Sequence, residues 1–214
     1  MIDRNSRFSD LRVAILLVSF GVSMLGCLGR SPDVEHYLLG TTEKPAPSNP
    51  GAPVDLAVLV GPARLPIYLE RPQIAILKNG GEVELAEFSR WLGGFEVSFL
   101  RSLSLGLAHD LHSIQVVAHP SSAPFSLDYR VRLHIDDLVF VSDRKILRTR
   151  IRWALVRVGE DAPPGLFLME ASLPVEGDSI EAIVEAYEAA IAELSSRVAA
   201  EINRAEGSLE TFSP

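Results

Sequence analysis

Two stretches of this chain alternate apolar and charged residues with a period of two, and such a run forms a strand with one covered and one wet face. In Asp128 to Asp136 the odd positions Tyr129, Val131, Leu133 and Ile135 are apolar, while Arg130, Arg132 and His134 point the other way. In Ile146 to Val158 the set Leu147, Ile151, Trp153 and Leu155 alternates with Arg148, Arg150 and Arg152. Gly165 to Val175 supplies a third strand. A sheet built this way needs a second layer to cover its apolar face.

Two amphipathic segments provide that layer. Phe88, Trp91, Leu92, Phe95, Phe99, Leu103, Leu107 and Leu111 recur every three or four residues and predict a helix over residues 87–111. Gly93-Gly94 interrupts it, and an interior Gly costs about 1 kcal/mol against Ala, so the helix bends there or another element approaches closely. A second helix is expected over residues 179–205, with Ile180, Ile183, Val184, Tyr187, Ile191, Leu194, Val198 and Ile202 as its core stripe. Asp178 is the expected N-cap, with Glu181 three residues on as in a capping box. The fold class that follows is α+β: a two-layer sandwich, mainly antiparallel, with two long amphipathic helices on one face. Residues 54–206 read as a single domain and residues 207–214 as a frayed tail.

Ahead of these elements, Leu56 to Val60 reads as a buried strand closed by Gly61-Pro62, and Leu65 to Leu69 follows at an edge or bend because Pro66 removes a ladder donor. Gln73 to Lys78 and Glu82 to Leu85 flank Asn79-Gly80-Gly81, a hairpin signal. Val34 to Leu39 is a candidate short strand. Between it and the first long strand, residues 41–53 hold four prolines and no large apolar residue. Such a segment is extended and solvated, with an r.m.s. span of roughly 20 Å, and fits a surface loop between two paired strands.

The lone cysteine, Cys27, ends an apolar run that starts at Val13 and is preceded by Arg4, Arg7 and Arg12, the order of a secretory signal. The arrangement resembles the bacterial lipobox, with Met24 standing where leucine is usual. On that reading residues 1–26 are a lipoprotein signal peptide, Cys27 is acylated, and residues 27–53 form a lipidated N-terminus, short strand and Pro-rich linker. The other reading is an uncleaved membrane helix, for which this run is short of the ~20 residues a span needs. Leu28, in place of an inner-membrane retention signal, favours the periplasmic face of the outer membrane. The anchor then accounts for membrane attachment, because a net charge of −8 gives no electrostatic footprint for nucleic acid and would be repelled overall by anionic headgroups.

Motifs for catalysis are missing: the sequence has no Gly-x-Ser-x-Gly, His-Glu-x-x-His or Walker-type loop. No catalytic residue, metal site or cofactor is assigned, and the chain is expected not to be an enzyme. His109 and His112 flank Asp110, yet no third or fourth metal ligand can be named, and they read as surface residues near a helix C-terminus. The set Arg130, Arg132, Arg148, Arg150 and Arg152 falls on one sheet face as a basic patch. It reads either as a docking site for an acidic partner or lipid phosphate, or as a solvated face neutralised by nearby carboxylates.

The run from Val60 to Ile76, Val-Gly-Pro-Ala-Arg-Leu-Pro-Ile-Tyr-Leu-Glu-Arg-Pro-Gln-Ile-Ala-Ile, resembles the signature of the ABC-type transport auxiliary lipoproteins. These include the outer-membrane lipoprotein of the paraquat-inducible system. The likeness continues through Asn79, Glu82 to Leu85 and Phe88-Ser89-Arg90-Trp91, and Gly93-Gly94 departs from it. It implies a lipoprotein working with an MCE-type substrate-binding protein, an ABC permease and an ATPase. Such systems move lipids or other hydrophobic molecules between inner and outer membrane. The chain would act as dock or conduit, and a conduit role would call for several copies around the cargo. Pro66, Tyr68, Leu69, Arg71, Pro72 and Trp91 are the candidate partner-binding residues, with core packing as the other reading of Trp91. The alternative function is a structural or assembly lipoprotein of the outer membrane.

Overall fold

The computed structural model describes residues 32–41, 56–161 and 163–210. The signal segment, Cys27 and most of the Pro-rich linker lie outside the described residues. From Val34 onward the chain is one compact unit. Its elements are β1 (Glu35–Tyr37), β2 (Val58–Arg64), β3 (Gln73–Leu77), β4 (Val83–Trp91), α1 (Phe95–Asp110), β5 (Val116–Ala118), β6 (Tyr129–Val141), β7 (Ile146–Arg157), β8 (Gly165–Pro174) and α2 (Ile180–Glu210).

All eight strands join one mixed sheet, and the helices form the second layer of an α+β sandwich. The long pairs β6 with β7 and β7 with β8 are antiparallel, as is the β3/β4 hairpin. The shorter contacts of β1 with β4, β2 with β5, β2 with β6 and β3 with β6 are parallel. The alternation in β6 and β7 resolves as the period-two pattern requires. Tyr129, Val131, Leu133 and Ile135 and, across the ladder, Leu147, Ile151, Trp153 and Leu155 are buried under the helices, while the five arginines stay exposed.

Four local expectations are corrected. The first helix begins at Phe95, because Gly93 and Gly94 adopt positive φ of 75° and 90° and turn the chain sharply. Phe88 and Trp91 therefore belong to β4, which pairs with both β1 and β3, and their helix-like spacing is incidental. In β2 the strand passes through the cis Gly61-Pro62 bond to Arg64 with a register shift at that point, so these residues form a bulge inside the strand and do not close it. At the C-terminus α2 extends to Glu210, into the first residues of the segment expected to fray. Its N-cap is Ser179, whose Oγ accepts the Ala182 N–H at 3.2 Å, while the Asp178 carboxylate pairs with Lys145 at 3.1 Å.

The segment before the linker is tied down differently from the expected hairpin-like pairing with β2. β1 pairs with β4, and the following loop crosses α1 closely enough that a Cβ on Gly40 would meet the Ser102 backbone at 3.0 Å. Arg101 donates to the Leu39 and Gly40 carbonyls, and Glu188 of α2 accepts the Gly40 N–H at 3.0 Å. α1 and α2 themselves meet closely at Gly106, where an added Cβ would lie 2.9 Å from Ser195 Oγ.

Candidate functional site

A strand has two hydrogen-bonding edges, and β7 occupies one edge of β6 along its whole length. The other edge is shared. β2 pairs with it as far as Arg64 opposite His134, and β3 takes over only at Ile76 opposite Phe140. The chain between them, residues 65–72, leaves the sheet as a turn and fills the gap. This turn is the centre of the signature run.

The gap would leave backbone groups of β6 without partners, a cost of about 1–3 kcal/mol for each buried one. Two tyrosines meet that demand at Leu138. The Tyr68 hydroxyl accepts the Leu138 N–H at 3.1 Å and donates to Asp137 Oδ1 at 2.8 Å. From the helix layer, the Tyr187 hydroxyl donates to the Leu138 carbonyl at 3.1 Å. Asp137 also takes Arg148 Nε, so the bulge in β6 between Ile135 and Asp137 is fixed by a Tyr68–Asp137–Arg148 chain. Burial first, and the Asp137 carboxylate beside it, push the Tyr68 hydroxyl well above its ordinary pKa. Complete burial does the same to Tyr187.

The candidate partner residues divide into two groups on this frame. Leu69 and Trp91 are buried, at 1% and 2% exposure, and support the turn from beneath. Trp91 packs edge-to-face on Phe95 at 5.4 Å and on Tyr187 at 5.2 Å, and its backbone N–H donates to the Pro72 carbonyl at 2.7 Å. Its indole N–H has no hydrogen-bond partner among the described residues. Tyr68 is half-buried and occupied with Leu138. What reaches solvent is Arg71, Pro72, part of Pro66 and Ile67, which is 73% exposed at the tip. Sequence reasoning passed over Ile67; a bulky apolar residue between Pro66 and Tyr68 was the available signal. Glu70 of the same turn lines an open pocket of about 420 Å³ together with Arg64, Leu65, Glu96 and His134.

The arginine patch is largely compensated. Arg152 makes a two-pronged contact with Asp136 at 2.6 and 2.7 Å, Arg150 pairs with Glu170 at 2.9 Å, and Arg148 pairs with Asp137. The Arg152 hydrogen bond, outweighing some desolvation, holds the Asp136 carboxyl below its usual pKa. Like charges are not placed directly opposite: Arg152 faces His134 and Leu168, and Arg150 faces Asp137 and Glu170. Arg130 and Arg132 have no carboxylate partner among the described contacts.

His109 and His112 lie at the end of α1 with ring centroids 6.5 Å apart, and His109 contacts Asp110 at 3.1 Å. Asp110 in turn accepts from the Ser195 and Ser196 hydroxyls of α2. Among the described residues no group of three or more His, Cys, Asp or Glu side chains could hold a metal ion. Nor is any described helix long and apolar enough to cross a membrane.

The sequence model of a family described as "ABC-type transport auxiliary lipoprotein component" matches residues 37–199, from β1 to the last third of α2. The chain belongs to this family. Membership makes it a lipoprotein component associated with an ABC transport system, and it places the signature turn within a shared architecture. No curated protein matches the chain. Among solved structures it is similar to the crystal structure of protein XCC0632 from Xanthomonas campestris, of the family DUF330. The two share 12% identity over 84% of this chain and 100% of that one, with a TM-score of 0.64. It is also similar to the crystal structure of an uncharacterized protein, at 17% identity over 80% of this chain and 99% of that one, with a TM-score of 0.62. At these identities the likeness carries the fold alone.

Proposed function

We infer that this auxiliary lipoprotein is the periplasm-facing, outer-membrane end of an MCE-type ABC system that moves lipids or other hydrophobic molecules between the two membranes. Acylated Cys27 holds it at the membrane, and it serves as dock or conduit with no chemistry of its own. The observation that carries this reading is the signature turn. Buried Leu69 and the Tyr68–Leu138 hydrogen bond fix residues 65–72, and the fixed turn presents Ile67, Arg71 and Pro72 outward beside an open pocket. An apolar side chain next to an arginine on a rigid, preorganised loop is the composition of an interface centre, where both order and anchoring contribute.

The test is co-purification from envelope membranes of the tagged full chain and of its Ile67→Asp/Arg71→Glu variant. The wild type is expected to bring down the permease and the MCE-type protein, and the variant to lose at least tenfold of that yield with its melting temperature unchanged. Wild-type protein that captures neither, together with normal envelope lipid handling after deletion, would refute the reading. Crosslinking to a β-barrel instead would turn it toward outer-membrane assembly.

A further inference from the structure

The face of the sheet turned away from the helices is not uniform. At the end carrying Arg148, Arg150 and Arg152, every guanidinium has a carboxylate within reach from Asp136, Asp137 or Glu170. At the opposite end Arg130 and Arg132 form no ion pair among the described residues, and the Asp128 carboxylate, two residues before Arg130, accepts the Ala57 N–H at 2.8 Å. The register places Val117, Leu59, Arg130 and Val156 in one row across β5, β2, β6 and β7, and Arg132, Ala154 and Leu166 in the next row across β6, β7 and β8. The cross-strand neighbours of Arg130 and Arg132 are thus all apolar, while along β6 the two arginines stand next to each other and to His134. Leu166 stands 77% exposed on the edge strand, and Ile114, 86% exposed, precedes β5 at the same end. The nearby acidic loop residue Glu160 is taken by Arg157, which also holds Glu206 of α2.

The two layers also differ in sign. α2 carries seven glutamates against two arginines, whereas β6, β7 and β8 present Arg130, Arg132, Arg148, Arg150 and Arg152 against Asp136, Asp137 and Glu170 on the open face, which Arg64 of β2 also joins. In an anionic field such a charge distribution turns the sheet face forward and the helices away. A bilayer is the occupant this face fits, since a lipoprotein works beside one. Two free guanidinium groups suit phosphate oxygens, and leucine and isoleucine side chains that stand clear of the protein surface can enter the headgroup layer. We propose that the Arg130/Arg132 end of the uncovered sheet face is a peripheral contact with an anionic lipid surface, separate from the signature turn and independent of the transport reading. It sets how the domain lies on the membrane once the anchor has brought it there.

The experiment is sedimentation with vesicles of phosphatidylcholine alone or mixed equally with phosphatidylglycerol. It uses the chain from Leu28 onward, which keeps the whole compact unit Val34–Pro214 and removes the acylation site. Binding is expected only to the anionic vesicles and should weaken with salt. Arg130→Gln/Arg132→Gln should lower the partition coefficient about 30-fold, since each basic residue near an anionic surface contributes about 1 kcal/mol. Leu166→Asp should lower it roughly tenfold. Arg197→Gln, on the exposed side of α2, should leave it unchanged, and circular-dichroism melts establish that all variants are folded. The proposal is overturned by an absence of wild-type binding, by equal binding to neutral vesicles, or by a loss with Arg197→Gln as large as that of the double variant. Capture of an acidic helical peptide in place of vesicles would overturn it too, and would make the face a protein-docking surface.

Discussion

Along one edge β6 is held by β7 through a ladder broken only at the bulge before Asp137. Along the other it is held by β2 for its first half, by the tip of β3 at its end, and between them by the hydroxyls of Tyr68 and Tyr187. The difference is one of chemical generality. Backbone pairing accepts many side chains, so the β7 edge constrains composition mainly through which face is buried. The shared edge depends on two particular hydroxyls and on the residues that aim them, and this is where the signature run lies.

The comparison is broken most severely by removing what aims Tyr187. Trp91→Ala deletes a buried ring that packs on both Tyr187 and Phe95, and should lower unfolding free energy by about 3–5 kcal/mol in urea titrations. Trp91→Phe should cost far less, because it keeps an aromatic body and removes an indole N–H that has no partner among the described residues. A large loss in the Phe variant would mean that the indole nitrogen has a partner in solution.

Next in size, Tyr68→Phe leaves the Leu138 N–H unsatisfied and should cost about 1–3 kcal/mol. Hydrogen exchange sharpens the comparison: the Leu138 amide should exchange faster in this variant, while the Val131 and Leu133 amides keep wild-type protection. Uniform acceleration along β6 would show that the two edges open as one unit. Smallest and most gradual is the response to alkali. Tyr187 is buried with its pKa raised above the ordinary value near 10, so the folded state holds a proton that the unfolded state has lost above that pH. Its contribution is fully present below pH ~10 and declines by about 1.4 kcal/mol per unit above it. Denaturation midpoints measured on either side of pH ~10 should fall for the wild type and fall less steeply for Tyr187→Phe.

The parts legible in the sequence were those set by local periodicity. β6, β7, β8 and the stripe of α2 follow from residues two or three to four apart, and burial agrees with the alternation from Tyr129 to Ile135 and through β7 and with most of the α2 stripe. The start of α1 was obscured because Phe88, Trp91 and Phe95 happen to match helical spacing, although Phe88 and Trp91 lie in β4. Gly93-Gly94 held the correct signal, and two consecutive positive-φ residues outweigh a hydrophobic spacing that any strand–turn–helix can imitate. Parallel pairing left no local trace at all, since the partners of β2 and β3 are more than 50 residues away. The site was legible in part for the same reason. Resemblance singled out residues 66–72, but which of them face outward depends on the gap in a strand that begins at Tyr129.

Short as they are, β1 and the loop after it are stitched into three other elements: β4 through the β1 ladder, α1 through Arg101 to Leu39, and α2 through Glu188 to Gly40 and the Tyr37–Glu181 hydrogen bond at 2.9 Å. Mechanical load entering the domain from upstream of Val34 would therefore be divided among sheet and both helices at once. A protein strung between a membrane and a moving assembly could be tugged at that point without its hydrophobic interior being the first thing to yield.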